Sequence, residues 1–233
     1  MGDRKKIVVL TGAGMSKESG IPTFRGSDGL WEGYDVRVVA SPWGWAENPE
    51  LVLEFYRLRR QGMLAARPNA GHRALTRLEE HFDVHIITQN IDNLHEQAGS
   101  SNVLHLHGII TQVRSSGDET LVFELDDDEN ISIGDLCPRG YQLRPNIVWF
   151  GEDVPEFPNA VSICMTADIL LIVGTSMVVY PANTLIEYTP EDAKIYLVDP
   201  NKPDYTSSRE ITYILEPAGT GVTKVVDEVL AGL

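Results

Sequence analysis

Cysteine is nearly absent from this chain. Cys137 and Cys164 are the only two in 233 residues, they stand apart, and no C-x-x-C occurs. Neither a disulfide framework nor a thiolate metal site is suggested, and a reducing cytoplasm fits. Long apolar runs are missing too. The run at 7–10 behind the basic Arg4-Lys5-Lys6 is far shorter than the roughly 7–15 residues of a signal core or about 20 of a membrane span. Gly2 follows Met1, but Lys6 holds the Ser/Thr position of a myristoylation signal. No export segment, anchor or membrane partner is expected. Positive charge is scarce as well: 19 Lys+Arg face 34 Asp+Glu, a formal net charge of -15. That balance repels a phosphate backbone and argues against a nucleic-acid partner.

What is present is enough for a core without staples, since a chain of this length buries about 70% of its unfolded surface. Short β-branched runs at 7–10, 84–88, 103–106, 169–173 and 195–198 alternate with helical patterns. Runs apolar on both faces belong to a parallel sheet covered by helices on each side, so the fold class is a doubly wound, Rossmann-like α/β sheet. Ligands of such sheets bind at the carboxyl ends of the strands.

Two stretches break the alternation and are expected to form a smaller lobe. In the first, residues 27–71, Asn48 caps a helix with Pro49 at its first position and an apolar stripe of Leu51, Phe55 and Leu58. The second, residues 112–143, alternates through Thr120 to Leu125 and then carries Asp126-Asp127-Asp128-Glu129, which reads as a hairpin with an acidic, solvated turn. A last amphipathic helix is expected from Val222, Val225, Val226, Val229 and Leu230.

Three clusters carry chemistry. After the first strand comes Gly12-Ala13-Gly14, where glycine lets a backbone approach a pyrophosphate at a helix N-terminus; a tight turn without ligand is the alternative. Lys17 holds the third glycine position of G-x-G-x-x-G, so a hydride-transferring dehydrogenase is poorly supported. Gln89-Asn90-Ile91-Asp92 ends the second strand, where amides and a carboxylate suit ribose hydroxyls and a carboxamide, or simply cap a helix. In His105-Leu106-His107-Gly108, strand periodicity puts both imidazoles on one face. They can begin a metal site, though no third ligand is evident, or a neutral His107 can serve as general base with His105 as a structural hydrogen-bonding residue.

Taken together, GAGMSKESGIPTFRG at 12–26, TQNIDNLHEQAG at 88–99, HLHG at 105–108, RPNIVWFGE at 144–152 and GTSMVVYPA at 174–182 resemble the sirtuins, NAD-dependent protein lysine deacylases, in the family's order and across most of the chain. The resemblance implies one catalytic domain over 1–233. It further implies that Gly12, Ala13, Gly14, Phe24, Arg25, Trp31, Gln89, Asn90, Ile91 and Asp92 surround NAD. Gly174, Thr175, Ser176, Asp199 and Ala218 would lie on its adenosine side. The partner is then an acylated lysine of a protein or peptide, added as a strand between Phe150-Gly151-Glu152 and the 177–179 segment around Val178. In the family the acyl-amide oxygen attacks the nicotinamide-bearing ribose carbon and a histidine base continues the transfer. His107 takes that role here, with Asn90 and Asp92 orienting carboxamide and water and the Phe24–Arg25 loop shielding the site. Free lysine, nicotinamide and acyl-ADP-ribose are the expected products.

Two details go beyond the common pattern. Tyr56 and Arg59 share a helix face, and this Tyr-x-x-Arg looks like the pair that marks the desuccinylating branch of sirtuins. A guanidinium matches a carboxylate with two prongs and a phenol adds a donor, which can favour succinyl or malonyl chains by roughly tenfold or more. Arg57 and Arg60 are expected to be solvated, and Gly44 to widen the pocket between Trp43 and Trp45. Most sirtuins also fold the second insertion around zinc held by two C-x-x-C pairs, of which only Cys137 remains here. Zinc needs four ligands, so no zinc and no catalytic metal are expected. A protein ADP-ribosyltransferase and a non-catalytic NAD sensor are the rival readings.

Overall fold

In the computed structural model, residues 4–23, 30–31 and 33–233 are described. Strand β1 (Lys6–Thr11) leads into a 3-10 helix, Ala13–Ser19, and then a ribbon of β2 (Leu30–Trp31) and β3 (Tyr34–Asp35). Helices α1 (Val36–Val39), α2 (Pro42–Glu47), α3 (Pro49–Ala65) and α4 (Ala70–Leu78) follow. The middle of the chain holds β4 (Asp83–Thr88), α5 (Leu94–Ala98), β5 (Val103–His105), β6 (Gly108–Ser115), β7 (Val122–Glu124) and β8 (Leu143–Ile147). It closes with α6 (Phe157–Cys164), β9 (Ile169–Val173), a 3-10 helix at Ala182–Tyr188, β10 (Lys194–Val198), β11 (Ile211–Ile214) and α7 (Ala218–Ala231).

The main sheet runs β11-β10-β9-β1-β4-β5, parallel throughout. Side chains alternate across it. Ile7, Val9, Ile86, Leu171 and Val198 meet Leu75 and Leu78 of α4 and Val222, Val225 and Val226 of α7. Val8, Leu10, Ile87, Ile172 and Leu197 meet Ala160 and Cys164 of α6 and Leu185 and Ile186. With both faces covered, each strand reads as a continuous apolar run, which is why five of the six were expected from sequence. The sixth, β11, is a short edge strand outside that expectation. The chain winds outward from β1 through β4 and β5, then returns to β9 on the other side of β1, so the switch point lies between β1 and β9.

The small lobe has its own core, in which Val52, Phe55, Tyr56 and Met63 of α3 pack on Ile91, Ile110, Ile147 and Trp149. Asn48 caps α3 by accepting from the Leu51 N–H, as expected. The expected stripe is corrected, however. Leu58 is 47% exposed, whereas Arg59 and Arg60 are buried. Helix α3 packs against two surfaces, and its second buried face carries arginines.

Arg60 is not solvated. Its guanidinium donates to the carbonyls of Leu125, Asp126 and Asp127, so it binds the acidic segment through its backbone. Arg57 is half-buried and pairs with Glu54. The hairpin also differs from expectation: β6 pairs with β7 and β8, its turn lies at 116–121, and the acidic run follows β7 instead of forming that turn. Cys137 donates its thiol to Ser115 Oγ at 3.2 Å, and Arg139 pairs with Asp118.

Gly44 has a different purpose from pocket widening. A Cβ there would collide with the Val38 carbonyl oxygen, so glycine is what lets α2 pack on α1. Trp43 projects outward, and Trp45 packs its ring 5.6 Å from that of Trp149.

Candidate active site

The crevice begins where β1, β4 and β9 end. Gly12 N–H donates to the Val173 carbonyl and Gly14 N–H to that of Gly174, while Gln89 N–H donates to Thr11. A Cβ on Gly12 or Gly14 would meet Gly174 backbone atoms at 2.8 and 2.6 Å, and Gly174 itself has φ +62°. The glycines therefore serve first to let the 12–14 and 174–175 loops touch, a closer requirement than ligand approach. No side chain caps the 3-10 helix that starts after Gly12.

Polar side chains line this edge in one circuit. Asn90 Nδ2 donates to the Gly12 carbonyl and to Ser16 Oγ, each at 3.1 Å. Ser16 Oγ donates in turn to Asp92 Oδ2 at 2.9 Å, and Asp92 Oδ1 accepts from the Leu94 N–H. Burial raises the Asp92 pKa against these bonds. Gln89 Nε2 reaches Thr175 Oγ1, joining the second and fifth sequence motifs. Ile91 lies in the small-lobe core and accepts from the Ile110 N–H.

The two histidines are placed differently from the strand-face expectation, because β5 ends at His105 and His107 lies in the following turn. They nonetheless aim at consecutive carbonyls: His107 Nδ1–H donates to Gln89 at 3.1 Å and His105 Nδ1–H to Asn90 at 3.2 Å. His105 Nε2 faces Glu96 at 2.7 Å, so both of its nitrogens are engaged. For His107 the proton on Nδ1 leaves the lone pair on Nε2. Burial lowers its pKa, opposed by the Gln89 bond, so the ring is neutral at pH 7 and able to take a proton.

On the far side, Asp199 follows β10 and accepts from the Asn201 N–H through Oδ1. Ala218 is buried at the start of α7. There Glu18, which the sequence reading passed over, accepts from the Gly219 N–H at 2.6 Å and so ties the 13–19 turn to α7. Asn69 does the same for α4, donating to the Met15 carbonyl and Ser19 Oγ. Trp31 lies in β2 opposite Tyr34. Phe24 and Arg25 fall outside the described residues.

The acyl candidates lie on α3, which packs on β8, and the peptide candidates follow β8 and β9. Phe150 is exposed, with its N–H donating to Ala40; Gly151 has φ +95°, and Val178 is exposed. Tyr56 is buried, its ring 5.2 Å from Phe55 and 6.4 Å from Trp149. The Arg59 guanidinium lies over the Phe55 ring at 5.7 Å. Trp149, to which no role was given from sequence, is wedged against Arg144, whose guanidinium sits 3.3 Å over the indole and bonds to Glu152. Among the described residues no group of three or more His, Cys, Asp or Glu is placed to hold a metal ion, and no helix is long and apolar enough to cross a membrane.

Fold and site together are those of a Rossmann-like α/β protein with a polar crevice at its switch point. Comparison narrows the class: residues 12–181 match the Sir2 family model. Relatives named NAD-dependent protein deacylase from Helicobacter pylori and Bacteroides thetaiotaomicron are 50% identical over 214 and 225 residues. These alignments cover 92% and 95% of this chain and 93% and 96% of the relatives. A Sir2 homologue solved with NAD superposes with a TM-score of 0.86 at 38% identity, over 98% of this chain and 91% of that one. A Sir2 structure with p53 peptide and NAD+ gives 0.75 at 32% identity, over 98% and 93%. The chain belongs to the Sir2 family.

Proposed function

We propose that this protein is an NAD-dependent protein lysine deacylase that prefers acidic acyl chains. The observation that carries the first part is His107, neutral and held with its lone pair on Nε2 beside the Gly12–Asn90–Ser16–Asp92 circuit. When bound, NAD supplies an activated ribose carbon and a good leaving group. The chain's own work is positional. Asn90 has spent both amide protons on Gly12 and Ser16, which fixes its Oδ1 as an acceptor toward the crevice; Asp92 is fixed by Ser16 and Leu94. These groups suit a carboxamide. His107 Nε2 takes the proton of a ribose hydroxyl. Gly174, Thr175, Ser176, Asp199 and Ala218 are assigned the adenosine side, with Gly12, Ala13, Gly14, Phe24, Arg25, Trp31, Gln89 and Ile91 completing the NAD site.

Support for the family activity comes from relatives called deacylases and from a neighbour solved with a peptide and NAD+. Acidic selectivity rests on Tyr56 and Arg59, buried together on α3 at the lobe's core. We further infer one catalytic domain whose two insertions, 27–71 and 112–143, make the small lobe without zinc. The residues present do not fit that metal, since Cys137 is a single thiol already bonded to Ser115. Nicotinamide release from succinylated and acetylated forms of one peptide tests the reading: release with both and faster release with succinyl is expected, and no release with either refutes it. One tightly bound zinc per chain by elemental analysis would refute the zinc-free module.

A further inference from the structure

Among the described residues, the buried donors without an acceptor include two aromatic neighbours in the small lobe, the hydroxyl of Tyr56 and the indole N–H of Trp149. Each residue is 2% exposed, so bulk water does not satisfy them. Their rings lie 6.4 Å apart and 30° from parallel. The indole N–H approaches the phenol oxygen closely enough to pull against the burial that raises the phenol's pKa, but short of good hydrogen-bond geometry. Buried donors are satisfied almost everywhere in proteins, and two side by side call for one shared acceptor. A carboxylate offers about four lone-pair sites and no proton, which suits several donors at once.

The indole is not free to turn elsewhere. Arg144 lies over its face, Trp45 packs beside it, and the Trp149 backbone N–H is fixed to Glu152 Oε2 at 2.8 Å. Arg144 is itself pinned by Glu152 and the Ile147 carbonyl. The preceding residue, Val148, donates its N–H to the His107 carbonyl at 2.9 Å, which places the indole one residue from the strand contact with the proposed base.

We infer that Trp149 is a specificity-determining residue whose indole N–H joins Tyr56 and Arg59 in holding the terminal carboxylate of a succinyl- or malonyl-type chain. This rests on the acidic-acyl reading above. The test uses purified wild-type, Trp149→Phe and Arg59→Met proteins on one peptide carrying succinyl- or butyryl-lysine, chains of equal length of which only the first ends in a carboxylate. Phenylalanine keeps an aromatic face for Arg144 and Tyr56 while removing the donor, and the ring volume it also loses bears on both substrates alike. The succinyl-to-butyryl ratio of kcat/KM falls about tenfold in Trp149→Phe, the scale of one hydrogen bond to a charged group, and the fall resides mainly in KM. A general packing defect lowers both substrates together and leaves the ratio within twofold, which overturns the assignment. If Arg59→Met lowers the ratio and Trp149→Phe does not, Trp149 is excluded and the acidic-acyl reading stands. If wild type shows no succinyl preference and Arg59→Met leaves the ratio unmoved, both fall. Should Trp149→Phe not fold, the wild-type protein labelled with nitrogen-15 decides. Its Trp149 indole resonance, assigned through variants of Trp31, Trp43 and Trp45, moves downfield with the succinyl peptide and not the butyryl one; an unmoved resonance overturns the assignment.

Discussion

The sheet edge and the small-lobe core follow opposite rules. At the edge, Ser16, Gln89, Asn90 and Asp92 each bond to another group of the protein, so the arrangement is complete in itself. In the small lobe, Tyr56 and Trp149 keep buried donors that nothing among the described residues accepts. A closed circuit holds its shape whatever arrives and suits a step common to all substrates. Open donors gain only when the substrate brings the acceptor, and they penalise one that does not, which is how a site discriminates.

The contrast is most exposed to failure at His107. His107→Ala is expected to slow deacylation about 10²–10⁴-fold on succinyl and acetyl substrates alike, with NAD binding by calorimetry retained. A loss confined to one acyl group would move the imidazole to the selective side of the comparison. Since burial lowers its pKa and a base must be neutral, the acid limb of kcat/KM is expected below pH 6.5; a limb above that value contradicts the assignment.

Behind the edge, His95 bonds to Thr11, and the His72 ring lies 4.8 Å from it. Burial lowers the His72 pKa from 6.5 to about 4, so the unfolded chain takes up a proton first as pH falls. Stability is full above pH 6.5 and declines toward pH 4, by up to about 3 kcal/mol from this group. Urea titrations at pH 7 and pH 4.5 are expected to show a smaller difference for His72→Gln than for wild type; equal differences would clear His72.

In the small lobe the effects are smaller and selective. Arg59→Met is expected to lower desuccinylation about tenfold more than deacetylation in matched assays, and equal losses would refute selective recognition. Least of all, Leu58→Gln is expected to change unfolding free energy by no more than about 0.5 kcal/mol, because Leu58 faces solvent. A large change would restore it to the buried face.

The main sheet was legible because residues such as 7–10 and 169–173 are buried on both faces, and an uninterrupted β-branched run has few other readings. Edge strand β11, four residues with partial exposure, carries no such signature. On α3 the period was readable but not the phase: Leu51, Phe55 and Leu58 fit a stripe as well as Val52, Phe55 and Tyr56 do, and only the partners on β6 and β8 decide between them. Local motifs brought Asn90, Asp92, His107 and Thr175 to one edge. Glu18 and Trp149 escaped notice because what makes them interesting is an N–H 201 positions away in one case and a missing acceptor in the other. Arg60 was misread for the same reason, since its three carbonyl partners lie 65–67 residues downstream.

That last side chain has a mechanical meaning. Arg60 sits next to Arg59 on α3 and grips three successive peptide groups of the 125–127 loop, so helix and loop are clamped together as one lever. The second insertion is thereby tied by its backbone to the long helix of the first. Lengthening or shortening the loop is therefore felt one residue from Arg59, the side chain proposed to hold the acyl carboxylate.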